Sequence, residues 1–485
     1  MSDFLRIAIV HYHLRAGGVT RVISHAAKAL IAAGHEVVVL TGEVPSDFVV
    51  PKEMHLKILP GLNYSLEYSA ALVDQLVSQV HGAALEIFGE MPDVWHFHNH
   101  TLGKNMNLPH LVRRWAESDL PMVLQIHDFA ENGRPANYRA LLETAAAGSL
   151  SELAQILYPH SSRIRYAVLN PRDLEILRSV GANVSILPNP VELDSVFAPQ
   201  NSVSFLLYPC RPIRRKNIGE AILWSLFLEE GSKLVFPVAP HNAADRAVYD
   251  QWRLLADKFD LPVEFEVIPR LAENLEALMA ISQGILTTSV MEGFGMAFLE
   301  PYLAGKPLMG RNLPSITANL SSDGIDLSHL YIKLPIPVEW IGHERLRHLF
   351  LAAIPVLEKS YGIVISPTHR EQTWIDLVSQ DTIDFGNLCE DLQQEIITML
   401  CSEPEKKKQI SQSLQANPGA VDTSADAIRE KYSPARYAER VLKIYRDVIS
   451  SPPSEVESLD AAQILENNVH QSLHLILRTA AEADA

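Results

Sequence analysis

Two α/β domains, each an open and mostly parallel sheet covered by helices, are the fold that the sequence predicts, on three observations. The chain has 485 residues, too many for one hydrophobic core and enough for two domains of about 200 each. Short apolar runs alternate with longer helix-patterned stretches, the rhythm of strand–helix–strand units. That rhythm breaks at the polar stretch DSVFAPQNSVS and then restarts. The expected domains are therefore 1–197 and 198–430, with an insertion at about 330–385 and a tail at 450–485.

The first series opens with RIAIVHY, a buried-strand pattern. GGVTRVISHAAKALIAAG follows as a glycine turn and a helix ending at Gly34, then HEVVVLTG, VWHFHNH and PMVLQIHDF as further strands. RYAVLN and VSILPNPV close the domain. In open sheets ligands bind beyond the carboxyl ends of the strands. Those ends carry His11, Tyr12, His98, His100, His127 and Asp128. The second series runs FLLYPCRP, KLVFPVAP, VEFEVIP and QGILTTS. Residues 330–385 break the pattern with a strongly helical middle, and the rhythm resumes at IDFGNLCEDLQQEIITML. YSPARYAERVLKIYRDVI has the apolar spacing of a packed helix, with Pro434 near its start. The tail is acidic and then mildly amphipathic, which leaves disorder and an oligomer contact equally open; the oligomeric state is not legible.

Bulk properties exclude several classes. The apolar fraction of 47% and charged fraction of 20% are those of a globular protein. A formal charge of −17 argues against nucleic acid or an anionic membrane surface as the main partner. Three scattered cysteines without CxxC spacing fit neither a disulfide framework nor a zinc site, and they suit a reducing cytoplasm. No apolar run reaches the length of a membrane span, and the N-terminal run Ile7–Val10 is too short for a signal peptide. A cytoplasmic protein without integral membrane association is expected.

Four stretches carry chemistry. In AGGVTRV, Gly17 and Gly18 lie between a strand and a helix, where a ligand can approach the backbone and the helix N-terminus. The pair serves a structural turn as readily as a ligand loop, and it is not the G-x-G-x-x-G dinucleotide fingerprint. In CRPIRRKN, Arg211, Arg214, Arg215 and Lys216 put four cations in six residues of an acidic protein. A diphosphate would explain them, since Arg offers a planar fork and Lys a compact charge. The alternative is a solvated basic turn. In MEGFGMAFLE, the amides of Phe294, Gly295 and Met296 would face a phosphate or hexose at a helix start. Glu292 would accept sugar hydroxyls there, and Glu300, two turns into the helix, would grip a ribose diol. In QIHDF, His127 ends a strand beside Asp128. A core histidine is the commoner reading of such a residue. His96, His98 and His100, placed on one strand face by alternation, raise the question of a metal, but no acid-rich set completes one.

Together these stretches resemble the GT-B glycosyltransferases, specifically glycosyltransferase family 4, over most of residues 5–310 and again at 431–448. The most specific parts are Arg211-x4-Lys216-Asn217 and Glu292-x7-Glu300, supported by GGVTRVISHAAKALIAAGHEVVVLTG and ILPNPV. The resemblance implies two Rossmann-like domains facing across a cleft, the first for the acceptor and the second for the nucleotide sugar. A helix at about 432–448 would cross back to the first. It also implies that Arg211 and Lys216 hold the donor diphosphate, Glu300 its ribose, and Glu292, Phe294, Gly295 and Met296 the donor sugar. His127 would meet the sugar at the reacting centre, and Gly17 and Gly18 would border donor phosphate and acceptor.

The implied reaction moves a hexosyl group from a nucleotide-diphosphate sugar to an acceptor hydroxyl, with retention. No cofactor and no essential divalent metal are expected, since the cations stabilise the leaving diphosphate. No residue stands out as a covalent nucleophile, so front-face attack with the departing phosphate as base is the expected route. UDP-glucose and GDP-mannose are both open as donors. Two features depart from the family plan: the 330–385 insertion, and HDFAENGRPANYRAL after His127, where Glu131 and Arg134 are available to an acceptor. An Arg there suits a carboxylate or phosphate. RPIRRKN is reminiscent of the sucrose-phosphate synthase branch, favouring a small-molecule acceptor over a lipid-linked one. The competing readings are a non-catalytic sugar-nucleotide sensor or scaffold, and an epimerase or phosphorylase on the same fold. An NAD-dependent oxidoreductase lacks its glycine fingerprint.

Overall fold

The computed structural model describes residues 4–46, 48–146, 148–193, 204–240, 243–412, 414 and 421–483; the linker expected at DSVFAPQNSVS lies, apart from Ser204, outside them. The chain divides into two compact units, Met1–Val191 with Tyr432–Ser472, and Glu192–Lys431 with Leu473–Ala485. No helix among the described residues is long and apolar enough to cross a membrane.

The first unit is built on a seven-stranded sheet. Its strands run in the order His55–Ile58, Glu36–Thr41, Arg6–His11, Val94–His98, Met122–Ile126, Ile164–Val168 and Val184–Ile186. Every pairing is parallel. The central strands are buried along almost their whole length because both faces are covered, the usual condition of a parallel sheet. Ile7, Ile9, Val37 and Val39 meet Ile23, Ala27 and Leu30 of the helix Gly18–Ala32 in one core cluster. Tyr437, Val441, Tyr445 and Val448 of the helix Pro434–Ser450 complete that cluster. A helix more than 230 residues beyond Val191 in sequence is thus part of the core that the unit's first segment builds.

The second unit holds a five-stranded parallel sheet, ordered Val263–Glu264, Lys233–Val235, Phe205–Leu207, Gly284–Thr287 and Leu308–Gly310. The segment expected as an insertion forms a small antiparallel sheet, Pro335–Pro337, Thr382–Asp384 and Val378–Ser379, with the helices His343–Tyr361 and Pro367–Leu377. The tail is folded and divided between the units. Glu457–Ser458 pairs with Pro159–His160, and the helix Ala461–Ser472 belongs to the first unit. The last helix, Ile476–Ala483, packs on His343–Tyr361 in the second.

Two local expectations are corrected. Glu300 does not lie two turns into a helix: a 3₁₀ turn, Met296–Phe298, precedes a four-residue helix that Glu300 itself begins. Pro301 explains the restart, because proline lacks the N–H that a helix interior uses but suits its first turn. Nor do the three histidines share one face. The strand ends at His98, Asn99 turns left-handed (φ 58°), and His100 leaves the alternation to bond the Leu157 carbonyl at 2.9 Å.

Candidate active site

In the second unit the strand Phe205–Leu207 runs into the basic loop, which ends in a 3₁₀ turn at Arg214–Lys216. Asn217 is left-handed (φ 55°) and starts the helix Ile218–Ser225. The loop is tied to the next motif through its backbone. The Val290 amide donates to the Arg215 carbonyl at 3.0 Å. Thr288 Oγ1 donates to the Asn217 carbonyl at 2.9 Å, and the Tyr208 hydroxyl donates to the Lys216 carbonyl. These bonds bring Lys216 Nζ onto Glu292 Oε1, with both side chains largely buried. Burial works to raise the Glu292 pKa, but Lys216 and Arg215, with hydrogen bonds from Lys216 and Ser289, outweigh it. They hold the carboxyl below its ordinary range. Arg211 is partly buried, which pulls its pKa down. Burial, with Glu292 adding to it and Lys216 opposing, pushes the Cys210 thiol up to about 11, so it stays protonated at neutral pH.

Gly295 is a conformational necessity: its φ is +86°, and a Cβ would lie 2.7 Å from the Phe298 ring. Phe294 and Phe298 are buried beneath the turn, and Glu300 is buried at the head of its helix. Arg211, Lys216, Glu292, Phe294, Gly295, Met296 and Glu300 thus all stand on two segments that follow neighbouring strands of one sheet.

In the first unit the Gly17–Gly18 pair presents the opposite case. Gly17 is extended, a Cβ there would be no nearer than 3.8 Å to another atom, and one at Gly18 would meet nothing within 4 Å. The protein's own packing demands neither glycine. Beside them Arg15 forms a two-pronged pair with Glu43, at 2.8 Å from Nε and 2.5 Å from Nη2. Arg15 and Lys104 both lie over the Tyr64 ring, 5.9 and 5.6 Å from its centre. Arg134 pairs with Asp128 at 2.9 Å, and both act electrostatically on Tyr64. Three cations against two carboxylates therefore surround one tyrosine at the carboxyl edge of an acidic protein's sheet.

With the sheets and both sets of residues placed, the chain can be set beside known proteins. The model of Glycosyltransferase Family 4 matches residues 16–195. Mannosylglucosyl-3-phosphoglycerate synthase of Petrotoga mobilis is 25% identical over 434 residues, which is 82% of this chain and 81% of that protein. Sucrose-phosphate synthase from Thermosynechococcus elongatus shares the fold with a TM-score of 0.53 at 13% identity, over 92% of this chain and 99% of the other. HepE of Anabaena, solved with UDP and glucose, has a TM-score of 0.51 at 11% identity, over 91% and 99%. The chain is a glycosyltransferase of the GT-B fold, and its residues 16–195 match the family 4 model.

His127 of this glycosyltransferase ends its strand in a buried row of imidazoles. Its Nε2 is 2.8 Å from His98 Nδ1, His98 stacks on His96 at 4.5 Å, and His96 Nδ1 is 2.7 Å from the Tyr445 hydroxyl. The Asn99 side chain accepts the His127 amide at 2.7 Å and fixes the turn. Burial drives the His127 pKa down to about 4, with Asp128 opposing. The ring is neutral at physiological pH, and one of its two nitrogens is already used.

Glu131 is placed differently from Arg134. It is fully buried, with Oε1 accepting the Tyr158 hydroxyl at 2.8 Å and Oε2 left without a partner among the described residues. Burial raises its pKa to about 7, with Tyr158 opposing. A raised folded pKa gives stability that is full below the unfolded value near 4.5 and is lost as pH rises through 7. The advantage of Glu131→Gln over the wild type should therefore grow by roughly 3 kcal/mol from pH 5 to pH 8. Urea melts at both values measure this; an advantage that does not change with pH would disprove it.

Sequence reasoning missed the framework behind the loop. Arg311 is buried between Glu220 (2.7 Å) and Asp384 (2.6 Å). Glu220 in turn accepts from Asn217 at 2.8 Å, and Gln393 donates to Asn217 Oδ1 at 2.8 Å. Arg478, from the tail, reaches the same asparagine. The one available signal was an arginine inside the mildly amphipathic run HLILRTAA.

Proposed function

We propose that the enzyme transfers a hexosyl group, with retention and without a divalent metal, from a nucleoside-diphosphate sugar to a hydroxyl of a small anionic acceptor of the phosphoglycerate-glycoside class. The observation that carries the donor half is the joining of the basic loop to the 290–296 turn through Lys216, Glu292 and the Val290–Arg215 bond. On this reading Arg211 and Lys216 take the diphosphate, Glu300 the ribose, and Glu292 with the amides around Gly295 the hexose. Negative charge grows on the departing diphosphate while positive charge grows on the sugar, so preorganised cations lower the barrier directly. The glycosyl C–O bond breaks as the acceptor oxygen bonds the same face of the anomeric carbon. The acceptor's proton passes to the leaving phosphate oxygen. His127, being neutral, offers Nδ1 to a sugar hydroxyl rather than a charge.

The acceptor half is supported by the cations around Tyr64 and by the name of the Petrotoga relative, which describes hexoses carried on phosphoglycerate. Gly17 and Gly18, not required by packing, leave the backbone open to phosphate or acceptor. UDP-glucose, GDP-mannose and ADP-glucose, each paired with glucosyl-3-phosphoglycerate, 3-phosphoglycerate or free glucose in the presence of EDTA, make the decisive panel. Mass spectrometry and the anomeric proton signal of the product read it out. Transfer to free glucose as fast as to the phosphorylated acceptor would refute the acceptor assignment, and an inverted product would refute retention. Arg134→Ala should raise KM for the phosphorylated acceptor about tenfold while leaving the donor KM unchanged, because it removes a charge-assisted contact to that substrate alone.

A further inference from the structure

The donor loop's cations have to be held at fixed positions, yet the loop itself is a short irregular segment. Its support comes from the end of the chain. Ile476–Ala483 is a helix whose Ile476, Leu477 and Ala480 are buried, and whose Arg478 is buried with them. A buried guanidinium is stable only when its donors are met, and Arg478 spends them on the loop. Nη2 donates to the Arg214 carbonyl at 2.7 Å; Nη1 donates to Asn217 Oδ1 at 3.2 Å and to the Leu388 carbonyl at 2.9 Å. Glu390 lies 3.5 Å away and shares the charge. Arg214 and Asn217 bracket the turn that presents Lys216, so the guanidinium grips both ends of it.

We propose that Arg478 is a positioning residue for donor binding: the C-terminal helix fastens the phosphate loop from behind and sets where Lys216 stands. The proposal rests on the reading of that loop as the diphosphate site. It also gives a shared role to two segments that the α/β rhythm does not explain. The inserted helix His343–Tyr361 packs on the C-terminal helix, and the C-terminal helix carries Arg478 to the loop. The Asn217 amide, gripped by Arg478 and Gln393 through Oδ1, passes the restraint on to Glu220 and Arg311. Arg478 touches neither the sugar nor the reacting atoms on this account. Its effect should fall on the affinity for phosphate rather than on the nucleoside.

Calorimetric titration of the full-length protein with UDP and GDP, and with uridine and guanosine, tests this in the wild type, Arg478→Ala, Arg478→Lys and Lys216→Ala. Arg478→Ala should weaken diphosphate binding about tenfold or more, the effect of losing hydrogen bonds made by a charged group. Arg478→Lys, which keeps the charge but not the fork, should fall between it and the wild type. Nucleoside binding should be unchanged in both. If Arg478→Ala does not fold, the lysine variant carries the test. Should Lys216→Ala lose the diphosphate while both Arg478 variants bind it as the wild type does, the positioning role is overturned and the donor site stands. An equal loss of nucleoside and diphosphate in the Arg478 variants would mark a general structural role and also overturn it. If the wild type binds neither diphosphate, the donor reading falls and the proposal with it.

Discussion

Lys216→Ala should lower kcat by about 100-fold or more while leaving the fold in place, the scale seen when one preorganised group is removed from developing negative charge. The loss should fall on kcat more than on KM. The charge that Lys216 faces is larger on a departing diphosphate than on a bound donor, so the contact strengthens in the transition state. A second effect adds to the first. Lys216 is the foremost of the influences that keep Glu292 ionised against its burial, so removing the ammonium leaves a buried carboxylate with the charge of Arg215 and the hydrogen bond from Ser289 to hold it. Breaking one side of such a pair costs about 3 kcal/mol of stability. The double variant Lys216→Ala/Glu292→Gln separates the two effects: it should recover much of the melting temperature and none of the rate. A kcat for Lys216→Ala within about threefold of the wild type would remove Lys216 from the leaving-group role, whatever the melting curves show.

How far the sequence could be read follows from which interactions leave a local trace. The strands were legible because a parallel sheet covered on both faces needs apolar runs such as RIAIV and EVVVL, and these cannot be written any other way. The helix Pro434–Ser450 was legible from its own periodicity, and its place in the first domain came only through the family resemblance. The donor loop and the 292–300 turn showed themselves through unusual residues at short spacing. What could not be read depends on contacts between distant positions. Nothing local says that Tyr208 and Thr288 lock the backbone at 216 and 217, or that Arg478 returns to residue 214. Glu131 and Arg134 stand three apart and looked equivalent, yet burial separates them, one sealed against Tyr158 and the other paired at the sheet's edge. Pro301 was a local signal for the broken helix at Glu300, outweighed there by the apolar pattern around it.

Mild acid should unfold the first domain well before its carboxylates would. Burial holds His11 and His96 at about 3, His100 and His127 at about 4, and His98 well below its ordinary value, and mutual repulsion among His11, His96, His98 and His127 reinforces it. Each folded pKa is depressed, so the unfolded chain binds protons below about 6.5 that the folded chain refuses until about pH 4. The stability these groups give is therefore complete above 6.5 and is lost as pH falls. Glu131 works the other way, since the folded form takes up its proton first. The histidines outnumber Glu131, so unfolding takes up protons on balance between pH 6 and 5 and stability falls as the pH drops through that window. The geometry offers no escape through charging. His98 and His127 face each other nitrogen to nitrogen at 2.8 Å, which needs one bare nitrogen, and His96 lies stacked against the pair. Urea unfolding at pH 7, 6 and 5, with hydrogen exchange to locate the first transition, would show the midpoint dropping steeply and peptides of the Val94–His98 and Met122–Ile126 strands opening first. Within the folded population kcat should have no acidic limb due to His127 above pH 5, because that ring never charges there. A first transition whose free energy stays level between pH 6.5 and 5 would mean that these imidazoles carry protons in the folded protein, and His127 would then reach the sugar as a cation.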